Sequence, residues 1–290
     1  VSVALERVGK AMRSAPRDAI IADSMPKERG RGFGIHRTLD TSGAIGGSIG
    51  VFLLFWCLGL DFKSIILIAA VVAFLSLIPL HFVTERKAER QSIAFRVSLR
   101  QMPGPLKTFI IISSLFALAN FSYMFFILRA QEFFSAAGGG DRSGVGASIL
   151  LYVLFNVFYA IFAIPSGTLS DRIGRRKVIS LGYLLFSITC LGFVLLNSLR
   201  AFVVLFALYG IVNAVVDGNQ RAYVSDLSPA ELRATALGTF HTAVGLAALP
   251  ASLIAGLLWQ RVSASTTFAY GSAVSLLSVA LFVLFRKRFA

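Results

Sequence analysis

Five residues in or beside long apolar runs have chemistry to offer: Arg7, Lys10, His36, Asp40 and Asp217. An ionisable group inside a lipid-spanning segment is costly and marks a functional site by default. As a helix, the first segment gathers Glu6, Arg7, Lys10, Arg13 and Arg17 within an arc of roughly 120°, so one face of it is charged. For Arg7 and Lys10 that face reads as a cavity wall that binds an anion or governs proton movement. For Arg13 and Arg17 the plainer reading is a helix end in water. His36 and Asp40 lie one helical turn apart on one face, with Arg37 beside them. Histidine titrates nearest to neutral pH, so this pair either takes part in proton coupling or latches a gate as an ion pair. Asp217 shares a face with Asn213, with Tyr209 a turn earlier, and is the best candidate acid for a proton or a substrate in that region. Asn120 and Tyr123, then Tyr152, Asn156 and Tyr159, offer hydrogen bonds to a substrate, with interhelical hydrogen bonds as the alternative for each. The sequence has no metal-ligand cluster, phosphate loop or nucleophilic triad, so it calls for no cofactor, no metal and no enzyme.

The elements that must carry these residues are membrane helices. The chain is 56% hydrophobic and only 14% charged, with a mean hydropathy of +0.77, whereas a soluble domain carries about 25% charge. A spanning helix needs about 20 apolar residues. Eight segments qualify: Gly34–Leu58, Phe62–Val83, Leu106–Leu128, Val145–Gly167, Val178–Leu196, Ala201–Gln220, Ala236–Leu258 and Thr266–Phe285; a ninth, Val1–Asp23, is more polar. No ~10-residue alternating segments of a lipid-facing barrel occur. The net charge of +14 is spread between apolar segments, which argues against nucleic acid as a partner. The 26 phenylalanines read mostly as lipid-facing bulk, and Cys57 and Cys190 as small buried hydrophobes. The glycine-rich stretch Ala136–Gly146 reads as a flexible outer loop.

Residues 167–178, GTLSDRIGRRKV, lie between two apolar runs. The pattern G-x-L-x-D-R-x-G-R-R-x resembles the cytoplasmic loop signature of the major facilitator superfamily of secondary transporters. The resemblance implies an all-α polytopic membrane fold of two pseudo-symmetric helical halves that alternate access to a central cavity. It also implies a latch. Gly167 and Gly174 would allow a tight turn and close backbone approach. Asp171 would dock on the positive N-terminal end of the helix beginning near Gly32–Gly34, Arg175 would pair with Asp226, and Arg172 belongs to the same loop. Arg7, followed by Gly9, loosely matches an arginine of the cavity-lining fourth helix of the family. The stripes Gly43-x-x-x-Gly47 and Gly46-x-x-x-Gly50 offer a smooth packing face. Family antiporters have a proline after a glycine here; this chain has Ser48, which weakens an assignment to drug/proton antiport.

Lysine and arginine set the orientation. With the signature loop in the cytoplasm, segments 24–33, 84–107, 168–177, 221–234 and 286–290 hold 18 basic residues, against 5 on the opposite face. That bias obeys the positive-inside rule and puts the C-terminus in the cytoplasm. The chain also repeats itself. Asp23, Pro26 and Glu28 align with Asp226, Pro229 and Glu231 at an offset of 203, and Arg29 and Gly34 with Arg233 and Gly238 at 204. Parallel repeats of this kind relate the two halves of the superfamily. By that logic residues 1–83 are the fourth to sixth helices of an incomplete N-terminal half. Residues 84–105 are a cytoplasmic linker, part of it amphipathic or simply solvated, and 106–290 are a complete six-helix half. The expected protein is an integral protein of a prokaryotic inner membrane, monomeric at full length. It would exchange a small-molecule substrate and protons, exporting a small organic or amphipathic solute. Uptake or exchange of an organic anion is the alternative, and a non-transporting receptor or polytopic membrane enzyme the alternative from another class.

Overall fold

A computed structural model describes residues 14–56, 58–78, 102–136 and 141–285. Every regular element among them is helical. In chain order they are α1 (14–24), α2 (Arg29–Trp56), α3 (Phe62–Leu75), α4 (Gly104–Ala119), α5 (Met124–Ala136), α6 (Asp141–Ile173), α7 (Arg175–Leu195), α8 (Leu199–Leu227), a 3-10 turn (Ala230–Leu232), α9 (Arg233–Arg261) and α10 (Ala264–Leu284). Among the described residues six stretches are long and apolar enough to cross a membrane: Gly104–Phe134, Leu150–Ile173, Arg175–Leu195, Leu199–Leu227, Ala230–Arg261 and Ala264–Leu284. Helices are what lipid requires, because each backbone polar group is satisfied within its own segment. Polar starts are capped by side chains: Ser198 accepts from Ala201 N–H at 3.2 Å and Ser263 from Thr266 N–H at 3.1 Å.

The chain divides into two compact units, Val1–Thr41 with Ser98–Ala290, and Ser42–Val97. The second holds the later part of α2 and α3. Asp61 caps α3 by accepting from Ser64 N–H at 3.2 Å, and hydrogen bonding by the Ser64 hydroxyl, with that N–H second, holds its carboxyl below the usual carboxylate range. Ile66, Leu67 and Phe74 on α3 are exposed, as lipid-facing residues are. A Cβ added at Gly43, Gly46, Gly47 or Gly50 meets no described atom within 4 Å.

The first unit carries the core, and here the aromatic expectation is corrected. Phe109, Phe116, Phe121, Phe126, Phe186, Phe193, Phe202, Phe268 and Phe282 are buried, and the exposed large residues are mainly Leu, Ile and Val. Phe116 stacks on Tyr183 at 3.8 Å, and Phe193 packs on Phe268 at 5.0 Å and edge-on to Phe126 at 5.2 Å. Lipid tails are as apolar as a core, so helices associate through close packing. Rings add area and edge-to-face attraction to that packing. Cys190 is buried in this core as a free thiol.

Four boundaries differ from expectation. The 106–128 helix breaks at Asn120, which ends α4, and resumes at Met124. Residues 141–146 are the start of α6 rather than loop. Residues 168–173 are the last turns of α6, and Gly174 alone, at φ 101°, reverses the chain into α7. Only glycine adopts that φ cheaply. Residues 221–227 continue α8, because Arg221 and Ser225 are buried there among partners. The 84–105 linker falls outside the described residues except at its end, where Gly104 begins α4.

Candidate functional site

The site is a charged seam that joins α1 and α2 to α6, α8 and α9 within the first unit. Small residues let α2 and α6 touch. Gly30 and Gly34 are spaced one turn apart and face Gly167 and Ala163. A Cβ at Gly34 would stand 2.5 Å from Ala163 O, one at Gly30 the same distance from Gly167 O, and one at Gly167 would overlap Gly30 O. Thr38, one turn further on, donates to Ala160 O at 2.9 Å. This stripe, not the later glycines of α2, is the close crossing.

That crossing sets the outer layer of charge. Asp171, near the end of α6, accepts the Gly30 and Arg31 N–H groups at 3.0 and 2.8 Å. These are unpaired donors of α2's first turn, where a carboxylate is worth about 0.3–1 kcal/mol, up to ~2 when partly buried. Arg175 stands four residues on, across the Gly174 break. Its Nη1 lies 2.5 Å from Asp171 Oδ1, and its Nε donates to Asp226 Oδ2 at 2.8 Å. Arg175 Nη1 also donates to Ser170 Oγ at 2.6 Å, and Ser170 in turn bonds the buried Asn219. Asp226 takes a second guanidinium from α2: Arg29 Nη1 donates to Oδ1 at 2.6 Å. Gly167, Asp171, Gly174, Arg175 and Asp226 are thus brought together. Arg172 is not. It is exposed and has no ion pair among the described residues, because one residue along a helix turns its side chain by about 100° away from Asp171.

The internal repeat reappears as a reciprocal pairing. Arg29 of the first copy reaches Asp226 of the second, and Arg233 of the second pairs with Asp23 of the first. Each arginine also turns its Nε on its own copy: Arg29 to Ala22 O at 3.2 Å and Arg233 to Ser225 O at 3.4 Å. Ala22 and Ser225 are themselves equivalent at the offset of 203.

The inner layer lies beside a cavity of about 200 Å³ lined by Arg37, Ser113, Asn120, Tyr159, Asn213, Asp217 and Gln220 among others. Asp217 is its centre. It accepts Tyr159 O–H at 2.7 Å and Arg221 Nη2 at 2.6 Å, and Arg37 Nε stands 3.3 Å away, off hydrogen-bond alignment. The Arg37 guanidinium also lies 4.5 Å over the Tyr159 ring, a cation–π arrangement. Asp40 pairs with Arg37 at 3.0 Å rather than with His36, whose Nδ1 is buried without a hydrogen bond among the described residues. Asn120 and Asn213 line the cavity, with Asn213 also donating to Tyr209 O at 2.9 Å. Asn156 donates to Tyr152 O on its own helix, and Tyr152 stacks on Tyr123 at 5.2 Å; neither is among the residues lining the cavity. Arg7 and Lys10 lie outside the described residues.

Sequence reasoning missed Asp18 and His241 and assigned Arg221 to a loop. The Asp18 side chain is fully buried. Arg17 Nη2 donates to its Oδ1 at 2.9 Å, His241 Nε2 lies 2.9 Å from its Oδ2, and Arg221 Nη1 stands 3.6 Å off. The available signal was a lone histidine in the apolar run 236–258 and an acid inside the first segment.

A family model for the Major Facilitator Superfamily matches residues 130–289. An uncharacterized MFS-type transporter of Methanocaldococcus jannaschii is 54% identical over 275 residues, covering 94% of this chain and 68% of that protein. The multidrug transporter MdfA of Edwardsiella ictaluri is 41% identical over 73 residues, 25% of this chain and 17% of its own. The crystal structure of the human organic anion transporter TETRAN superposes with a TM-score of 0.69 at 18% identity, covering 92% of this chain and 67% of that one.

Proposed function

Because the chain belongs to the Major Facilitator Superfamily, as an integral membrane protein of a transporter family and not an enzyme, we propose that it exports a small organic or amphipathic solute in exchange for protons by alternating access. The observation that carries the reading is the juxtaposition of a small polar cavity with a seam made of separable ion pairs. Ion pairs and single hydrogen bonds can re-form elsewhere when helices rock, and a shift of a few kcal/mol moves a two-state balance. The cavity volume suits a small solute. Asp217, Arg37, Tyr159, Asn120 and Asn213 would contact it, and Asp171, Arg175, Arg29 and Asp226 would hold the gate. In this reading residues 1–83 and 106–290 are parts of two halves joined by 84–105. The 174 turn and the C-terminus face the cytoplasm of a prokaryotic cell, and the full-length protein works as a monomer. The local likeness to a multidrug transporter supports export. A second reading, movement of an organic anion, is supported by the three guanidiniums of Arg17, Arg37 and Arg221 and by the fold likeness to TETRAN.

The test is flux by the full-length protein in proteoliposomes under an imposed pH gradient, with panels of labelled organic cations, neutral amphipaths and anions. Gradient-driven flux of a cation or neutral solute supports proton-coupled export. Flux of anions alone selects the second reading, and no flux under any gradient ends both.

A further inference from the structure

We propose that the His241–Asp18 pair is a proton-binding site, and that protonation of His241 there closes the seam between α1 and α9. The inference rests on the transport reading and names the group through which protons would act. Four observations carry it. Asp18 is a fully buried acid, and His241 Nε2 lies 2.9 Å from its Oδ2. The other cations of the seam, Arg17, Arg29, Arg37, Arg175, Arg221 and Arg233, are guanidiniums, which keep their charge at all working pH values. At the offset of 204 that relates Arg29 to Arg233, His241 is the counterpart of Arg37. Arg37 on α2 reaches an acid on α8, and His241 on α9 reaches an acid on α1. One half of this inner layer therefore has a permanent cation where the other has an imidazole. Finally, among the described residues of this inner layer the acids Asp18, Asp40 and Asp217 match Arg17, Arg37 and Arg221 in number, so there the imidazole proton adds a charge beyond these pairs.

The surroundings of His241 fix the sign. Asp18 and Arg17 face it from α1, and Asp217 and Arg221 from α8. Arg37, Asp40 and His36 are the charged and titratable groups of the neighbouring stretch of α2, where Arg37 pairs with Asp40 and approaches Asp217. α4 and α10, which also pack on α9, hold Lys107 and Tyr270 as their titratable side chains. With Nε2–H donated to Asp18, the proton that comes and goes sits on Nδ1, and the side chain is 34% exposed. When Nδ1 binds a proton the imidazolium is held by the Asp18 carboxylate. When Nδ1 loses it, a neutral hydrogen bond remains and Asp18 keeps only Arg17 and Arg221. The proton is bound in the closed seam and released as pH rises.

Spin labels on Ser24 and Thr235, in the protein with Cys57 and Cys190 replaced by Ala and placed in nanodiscs, read the seam by pulsed dipolar spectroscopy at pH 5.5 and pH 8. The short-distance population should fall about fivefold or more on raising the pH, the low end of ordinary coupling between sites. His241→Arg should stay short at both pH values, and His241→Gln should lose the response. A pH response retained in His241→Gln, or absent from the parent, overturns the proposal. If the Gln variant does not elute as one species, histidine NMR of the parent decides. A resonance whose midpoint moves down in Asp18→Asn supports the pair, and three unmoved resonances overturn it. Solute flux with a pH-insensitive seam refutes the pair and spares the transport reading. A pH-sensitive seam without flux does the reverse.

Discussion

Arg29 Nη1 and Asp226 Oδ1 meet at 2.6 Å across 197 residues of sequence, and Arg233 meets Asp23 in the mirrored sense. The two contacts tie each repeat to the other by the same residue types. Because each aspartate ends one helix region and each arginine begins the next, the four residues turn a sequence repeat into a clasp. The clasp also uses the arginines' own-copy bonds to Ala22 O and Ser225 O, which fix the guanidiniums before they reach across.

The clasp predicts a double-mutant result. Arg29 and Asp226 are partly exposed, at 14% and 30%, so the pair should couple by about 1 kcal/mol, at the upper end for exposed pairs. Arg29→Ala and Asp226→Ala measured singly and together by thermal melting give that coupling directly. Arg233→Ala should be nearly additive with Arg29→Ala, since the two arginines share no acid and have in common only the Ser225 carbonyl, at 3.3 and 3.4 Å. Zero coupling between Arg29 and Asp226 would make the contact incidental.

The glycine crossing predicts steric effects with a clear control. A Cβ at Gly167 meets backbone of Gly30, and one at Gly34 meets backbone at Ala163 and Ile164. Backbone cannot swing away as a flexible side chain can, so Gly167→Ala and Gly34→Ala should each cost about 1–3 kcal/mol. Gly245→Ala, whose Cβ meets no described atom within 4 Å, should be neutral or slightly stabilising in its helix. Equal melting temperatures for Gly167→Ala and Gly245→Ala would contradict the close approach of α2 and α6.

Much of this was legible in the residues. Long apolar runs announce spanning helices because lipid leaves the backbone no other choice; the docking of Asp171 came from the resemblance carried by residues 167–178, and the one-residue reversal at Gly174 was read as part of a longer loop. The acid–base partners were less legible. His36 and Asp40 share a face, yet Arg37 takes Asp40, since a longer flexible guanidinium reaches Asp40, Asp217 and the Tyr159 ring at once. Asp18 and His241 are 223 residues apart, and no local period links them. The phenylalanines were misread because composition tells that rings are in an apolar place, but not whether lipid or another helix surrounds them.

Asp217 should be the most sensitive single residue of the inner layer. It accepts from Tyr159 and Arg221 and stands beside Arg37. Asp217→Asn keeps the shape, removes the charge and leaves two guanidiniums facing each other. Breaking a buried charge pair by removing one partner costs about 3–5 kcal/mol; with 36% of this side chain exposed, about 2 kcal/mol is expected. Melting should drop by about 4–8 °C at 2–4 °C per kcal/mol, and Asp217→Glu should recover part of it. An unchanged melting temperature in Asp217→Asn would show the three contacts to be energetically idle.

Asp171→Asn tests the outer layer with the least disturbance. The amide matches the carboxylate in shape and retains one acceptor oxygen, so one of the two bonds from Gly30 and Arg31 N–H survives, while the charge opposite Arg175 and the helix end disappears. The side chain is only 8% exposed, so the loss should reach about 1–2 kcal/mol. That loss falls on the closed seam alone, because α2 and α6 must part for Asp171 to leave the start of α2. The balance should therefore move about 5- to 30-fold toward the open seam, seen as faster labelling by a maleimide of a cysteine replacing Ser170, which is buried beside the crossing, with flux slowed but not abolished. Asp171→Glu would keep the charge but add a methylene to a crossing already at backbone contact, so it should restore the labelling rate less well than its charge alone predicts. If labelling and flux in Asp171→Asn both match the parent, the contact with the helix start holds nothing closed.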